Sequence, residues 1–223
     1  MKRIAVILMC LVALCSYAQE SYPEDPLTFE YPYFTTVTFQ GASPGICDFV
    51  SSLINNEGMY MDSGSFIDAW GHYLHQEPQE PDSEIIVDKK NGYVYQASDY
   101  TYELEGLVHH EYGFYEMCYW NCADGKHKLF ATTSNVMIDG RYIIAQTTGL
   151  DLYLYENARH IMWNVYKPGL GIDIEPDVEE GEEYPVVVYR LPKQGKDIIA
   201  EIHYTNRTDT VRLVWNGMMF KEQ

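Results

Sequence analysis

The hydrophobic pattern changes period along the chain. In SPGICDFVSSLINNEG, Ile46, Phe49, Val50, Leu53 and Ile54 fall at i, i+3, i+4, i+7 and i+8, which is one face of an amphipathic helix. Ser43 and Pro44 stand before it as cap and first-turn proline, and Gly58 follows it. SGSFIDAWGHYLHQ predicts a second helix, with Phe66, Ile67, Trp70, Tyr73 and Leu74 on one side and Ser65 and Asp68 at capping-box spacing. EPQEPDSE then breaks the pattern as a short linker. Upstream of both helices, LTFEYPYFTTVTF is rich in aromatic and β-branched residues, so it predicts a strand, with Pro32 at an edge or break.

From Glu84 onward the period is that of strands. EIIVDKKNGYVYQA predicts a hairpin turning at Asn91-Gly92, and GFYEMCYWNCADGKHKLFATT another with Asp124-Gly125 at its tip. RYIIAQTTGLDLYLYENARHIMWNVY predicts about three strands around Gly149 and Asn157. The last stretch, from Tyr184, predicts a meander turning at Gln194-Gly195, near Asn206 and at Asn216-Gly217. The expected fold class is α+β, with two N-terminal helices packed on a predominantly antiparallel β-sheet or sandwich. Residues 19–223 are expected to form a single exported domain, with a sub-boundary allowed near 77–84. The alternative is a small N-terminal part and a separate C-terminal β-sandwich from residue 84.

The first residues, MKRIAVILMCLVALCSYAQE, add a compartment. Lys2 and Arg3 precede an apolar run from Ile4 to Cys15, and Ser16 and Ala18 make a small-x-small site, so cleavage is expected between Ala18 and Gln19. Residues 1–18 are thus read as a signal peptide. The run is too short to span a bilayer comfortably, and no integral membrane span is expected after cleavage. Leu14 before Cys15 argues against a lipoprotein signal. The expected location is periplasmic, outer-surface or extracellular.

Charge narrows the partners. The chain has 33 acidic and 15 basic residues and a net charge of -18, so it repels nucleic acid and anionic lipid. Cleavage leaves three cysteines, Cys47, Cys118 and Cys122, an odd and small number for a disulfide scaffold. On a strand Cys118 and Cys122 share a face but lie about 13 Å apart, beyond the limit of about 7 Å between bridged Cα atoms. Buried thiols are the first expectation, and a bridge from Cys47 to one of the other two is the second.

Each stretch resembling a chemical site has a plainer reading. His110-Glu111 begins a zincin motif, but the second histidine is missing and Gly113 with its aromatic neighbours predicts a strand. Cys122 is expected opposite His127, an incomplete ligand pair. Asp68, His72 and His75 share the solvent side of the second helix, where a solvated face is the expected state. DIEPDVEEGEE alternates Asp173, Glu175, Asp177 and Glu179, but Pro176 and a missing turn glycine spoil a calcium loop. The 20 tyrosines suit half-exposed strands better than sugar-stacking platforms. The chain contains no nucleophile elbow, phosphate loop or nucleotide fingerprint. No catalytic residue, cofactor or metal ligand is therefore assigned.

YWNCADGKHKLF and VWNGMMF both place Trp-Asn ahead of a glycine turn and a phenylalanine. Together with SYAQ, MCYWNCADGKHKLFA, LPKQGKDI and the closing LVWNGMMF, they resemble secreted Bacteroidetes-type proteins of unknown function that end in a Trp-Asn-Gly hairpin. The resemblance implies a periplasmic or surface setting in a Gram-negative bacterium and brings no catalytic residues. Asp209-Thr210-Val211 resembles the O-glycosylation acceptor of such bacteria, which makes Thr210 a candidate modification site. The functional expectation is an exported non-catalytic binding or interaction module, its partner an unidentified ligand or protein. The alternative is a secreted hydrolase acting on envelope or dietary polymers.

Overall fold

The computed structural model describes residues 34–55, 64–143, 149–165, 167–178 and 183–223. The expected signal segment and the Ala18–Gln19 junction lie outside them. The fold is β-rich α+β, with two helices, α1 (Ile46–Ile54) and α2 (Gly64–His75), and two antiparallel sheets. The larger sheet comprises β1 (Phe34–Thr36), β2 (Ser83–Asp88), β3 (Tyr93–Leu104), β4 (Leu107–Asn121), β5 (His127–Ile138), β6 (Arg141–Tyr142), β7 (Gly149–Glu156) and β8 (Ile161–Val165). Its order is β1-β8-β7-β5-β4-β3-β2, with β6 paired to the end of β5. The smaller sheet holds β9 (Val186–Arg190), β10 (Ile198–His203), β11 (Thr208–Trp215) and β12 (Phe220–Glu222), in the order β12-β11-β10-β9.

The chain enters the large sheet at one edge, β1, and returns to it at the other, β2. The segment carrying both helices therefore has to cross one face. Phe49 of α1 lies 5.5 Å from Phe130, 5.5 Å from Tyr119 and 5.3 Å from Tyr155, ring to ring, and Phe66 of α2 meets Tyr115 at 5.5 Å. Trp70 Nε1 donates to Ser51 Oγ at 3.3 Å, tying helix to helix. Lys128 is buried on this face; its Nζ donates to the Pro44 carbonyl at 2.7 Å and sits 4.6 Å from the Tyr119 ring. Residues on both sides of 77–84 share this core.

The cap of α1 differs from the expected one. Gly45, not Ser43, is the N-cap, and the Asp48 carboxylate accepts its backbone N–H at 2.8 Å. Glycine has no side chain with which to cap, so the reciprocal half of a capping box stands alone.

The opposite face of the large sheet packs on the small one. Successive strand residues point to opposite faces, and in β4 Phe114, Glu116, Cys118 and Trp120 face the small sheet while Tyr115, Met117 and Tyr119 face the helices. Both faces are buried, which is why FYEMCYW has almost no polar interruption. At one end the two Trp-Asn hairpins meet. Trp120 lies 6.0 Å from Trp215 and 5.3 Å from Phe220, and Ala123 N–H donates to the Gly217 carbonyl at 2.8 Å. The similarity noted in the sequence is thus a contact between two like corners. Gly171 closes the same end. Its φ is +73°, and a Cβ there would stand 2.3 Å from the Phe220 carbonyl oxygen, so no side chain fits.

The turns fall where their residues predict. Gly92 and Gly125 have φ of +67° and +64°. The Asp124 carboxylate accepts the Lys126 and His127 N–H groups at 2.9 and 3.1 Å. A further turn, Glu105-Gly106 with φ of +55° and +79°, joins β3 to β4 and was not anticipated. Among the described residues, no helix is long and apolar enough to cross a membrane.

Candidate binding cleft

Between the sheets the packing is apolar at the Trp120–Trp215 end and becomes polar toward β6. Glu116 is the pivot. It is buried on β4, opposite Tyr95 of β3 and Thr133 of β5. Tyr93 Oη donates to its carboxylate at 2.8 Å, the Leu191 N–H at 3.1 Å, and Arg190 Nε lies 3.4 Å away. Tyr93 comes from the large sheet and the other two from β9 and its end, so one carboxylate ties the sheets together. Burial pushes the Glu116 carboxyl above its ordinary pKa, against the downward pull of Arg190. Arg190 also covers the Phe114 ring at 4.5 Å. Tyr95 and Tyr112 hydrogen-bond to each other alongside.

Beyond Arg190 the sheets part, and a cleft of about 550 Å³ opens. Arg141 and Tyr142 of β6 line one side, and Glu183 and Tyr184, leading into β9, line another. His203 at the end of β10 and Tyr204 complete the part used below. The rings of Tyr142 and His203 pack at 4.6 Å, and His203 Nε2 lies 3.3 Å from the Glu201 carboxylate. Tyr204 is covered by the Arg207 guanidinium at 3.9 Å. Tyr184 is 63% exposed, so its ring has a bare face. Of the described lining residues, Glu183 is the only one with a carboxylate. The cleft thus offers aromatic faces, a guanidinium and scattered donors and acceptors, a composition suited to holding a polar ring-shaped ligand.

Of the stretches singled out in the sequence, only the end of the acidic run, Glu183, reaches this cleft. Cys118 and Cys122 are buried between the sheets, whereas Cys47 is on α1, across the large sheet. No disulfide joins the three, so the bridge from Cys47 left open above is not formed; the sheet itself separates the partners. Burial raises the Cys118 thiol well above its ordinary pKa. Cys122 does lie opposite His127, its N–H donating to the His127 carbonyl at 3.1 Å, but the His127 ring pairs with Asp124 at 2.6 Å.

The histidines of the zincin-like stretch stand on a strand. His109 pairs with Asp139 at 2.8 Å and His110 with Asp99 at 3.1 Å. Asp68 and His72, with Glu80 and Asp82, line a smaller cleft of about 310 Å³ beside α2. His72 Nδ1 donates to the Pro78 carbonyl at 2.6 Å. Among the described residues, no group of three His, Cys, Asp or Glu side chains is placed to hold a metal ion. Asp173, Glu175 and Asp177 are exposed, and Glu179 lies outside the described residues. Thr210 is exposed on β11, opposite Glu201 of β10. Sequence reasoning missed Arg141, Tyr142, Tyr184, His203 and Tyr204. They sit in a two-residue strand, at the end of β10 or in the loops beside β9 and β10, where neither period carries information.

Comparison of the chain with protein-family models, with curated proteins and with solved structures finds no match.

Proposed function

We propose that the protein is an exported, non-catalytic binding module that takes its ligand in the cleft between β6 and the Val186–His203 end of the small sheet. The cleft carries this reading: its walls are aromatic and mixed-polar, and its described lining has a single carboxylate. Glycosidic hydrolysis uses two carboxyl groups flanking the scissile bond. Among the described residues, the one buried carboxylate nearby, Glu116, is engaged by Tyr93, Leu191 and Arg190. The apolar run after Lys2 and Arg3 supports export to the periplasm, the outer surface or beyond, and the net charge of -18 disfavours nucleic acid. In the same reading the two helices serve as an N-terminal cover over one face of the large sheet, leaving the other for the small sheet and the cleft.

The test is saturation-transfer NMR of the mature chain against a panel of soluble neutral and acidic oligosaccharides, with an assay for new reducing ends. Transfer to at least one oligosaccharide is expected, lost in a Tyr184→Ala, Tyr204→Ala double variant with unchanged circular dichroism, and no reducing ends should appear. Chain cleavage would establish the hydrolase instead, and silence across the panel would remove the saccharide site.

A further inference from the structure

Arg141 stands apart from the other described arginines. Arg159, Arg190, Arg207 and Arg212 pair with Glu156, Glu116, Asp209 and Asp197. Arg141 has no acidic partner among the described residues, although acidic residues outnumber basic ones by 33 to 15. In so acidic a chain, an arginine without a carboxylate partner among the described residues is unusual, and this one lines the cleft. A guanidinium presents a planar fork of N–H donors that matches a carboxylate in two parallel hydrogen bonds.

The surrounding rings are set before any ligand arrives. Tyr142 is held against His203 at 4.6 Å, and Tyr204 beneath Arg207 at 3.9 Å. Surfaces already fixed lose little freedom on binding. Tyr184, exposed on the cleft wall, is the ring with a face to offer. The volume of about 550 Å³ suits a small ligand, since such sites span about 300–1,000 Å³.

We propose that the ligand is an acidic saccharide, with a uronate ring set against Tyr184 and its carboxylate on Arg141. This rests on the cleft being the binding site. A sugar ring has an apolar C–H face for the tyrosine, and its hydroxyls match the neighbouring His203, Thr205 and Glu183. The carboxylate is the one group that answers Arg141.

The experiment is isothermal titration of the mature chain with galacturonate, glucuronate, mannuronate and guluronate trisaccharides and with the methyl ester of each. Esterification removes the charge and keeps the ring. At least one acid should bind, and its ester should bind roughly tenfold more weakly or worse. Arg141→Gln should reproduce that loss, whereas Arg212→Gln, at a paired exposed arginine on β11, should leave affinity unchanged. Tyr184→Ala should weaken acid and ester alike. Equal affinity for acid and ester, or no effect of Arg141→Gln, overturns the acidic-saccharide assignment; the cleft reading then survives if Tyr184→Ala still weakens binding. Absence of binding by all the acids and esters overturns the assignment, and silence in the neutral panel as well removes the saccharide site with it.

Discussion

At the scale of single residues, Glu116 concentrates the risk in this fold. A buried carboxylate is tolerated when its oxygens are satisfied, and removing it strands the donors that pointed at it. Glu116→Ala leaves the Leu191 N–H and the Tyr93 hydroxyl without their acceptor. It should cost about 3 kcal/mol in urea unfolding at neutral pH, while Glu116→Gln, which keeps an acceptor, should cost less than half of that. An alanine cost below about 1 kcal/mol would mean water replaces the carboxylate and the tie between the sheets is dispensable. The pH dependence has a definite sign. Burial raises the Glu116 pKa in the folded protein above its ordinary value of 4.5, so the fold holds this proton more tightly than the unfolded chain does. Its stabilising contribution is whole below 4.5 and is lost as pH rises through the folded value. Wild type should therefore gain on Glu116→Gln as pH falls from neutrality toward 5, and urea midpoints at the two pH values measure it. A constant gap would show that Glu116 titrates as an ordinary glutamate.

At the scale of elements, the β3–β4 hairpin outruns the sheet. β2 pairs with β3 only as far as Ser98, and β5 begins pairing with β4 at Glu111. Beyond Asp99 and His110 the hairpin is, among the described residues, a two-stranded arm with unpaired outer edges, tipped by exposed Leu104, Leu107 and Val108. An isolated two-stranded ribbon is marginal, and this one is clasped at its root by His109–Asp139 and His110–Asp99. Replacing Glu103–Val108 by Asn-Gly keeps the Tyr102–His109 pair, which is of the same hydrogen-bonding type as Leu104–Leu107. Calorimetry should show the melting temperature within about 3 °C of wild type; a fall of about 10 °C would mean the arm supports the fold. How much of this was legible followed from chemistry. Hairpins marked by Asn-Gly, Asp-Gly and Gln-Gly were readable because those turns need positive φ at glycine. In β10, Ile198, Ala200 and Ile202 alternate with less buried residues because only one face is covered. The large sheet hid its layering, since it is buried on both faces and Phe114–Trp120 therefore loses the alternation. The cleft was illegible for another reason. Its residues come from three separate stretches that only the docking of two sheets brings together.

For the whole molecule the dominant fact is charge. With a net charge of -18, the compact chain repels itself, and the repulsion is relieved by unfolding. Asp173, Glu175 and Asp177 are exposed on the loop after Leu170 and add to the field without a cation among the ion pairs of the described residues. Screening acts over a Debye length of about 10 Å at 0.1 M salt, comparable to the spacing of surface charges. The melting temperature should thus rise by roughly 2–5 °C between low and moderate NaCl. Calcium and magnesium chlorides at equal ionic strength should have the same effect as each other. A specific site behaves differently, because binding to the folded state alone adds about 2.7 kcal/mol at a hundredfold excess over Kd, several degrees for one cation and not for the other. Pro176 limits how the flanking carboxylates can wrap an ion, and the loop lacks the glycine of a calcium-binding turn. A selective rise with calcium, abolished in an Asp173→Asn, Asp177→Asn double variant, would make that loop a binding site. Melts that fall with NaCl would mean that attraction between paired charges, not repulsion, governs the molecule.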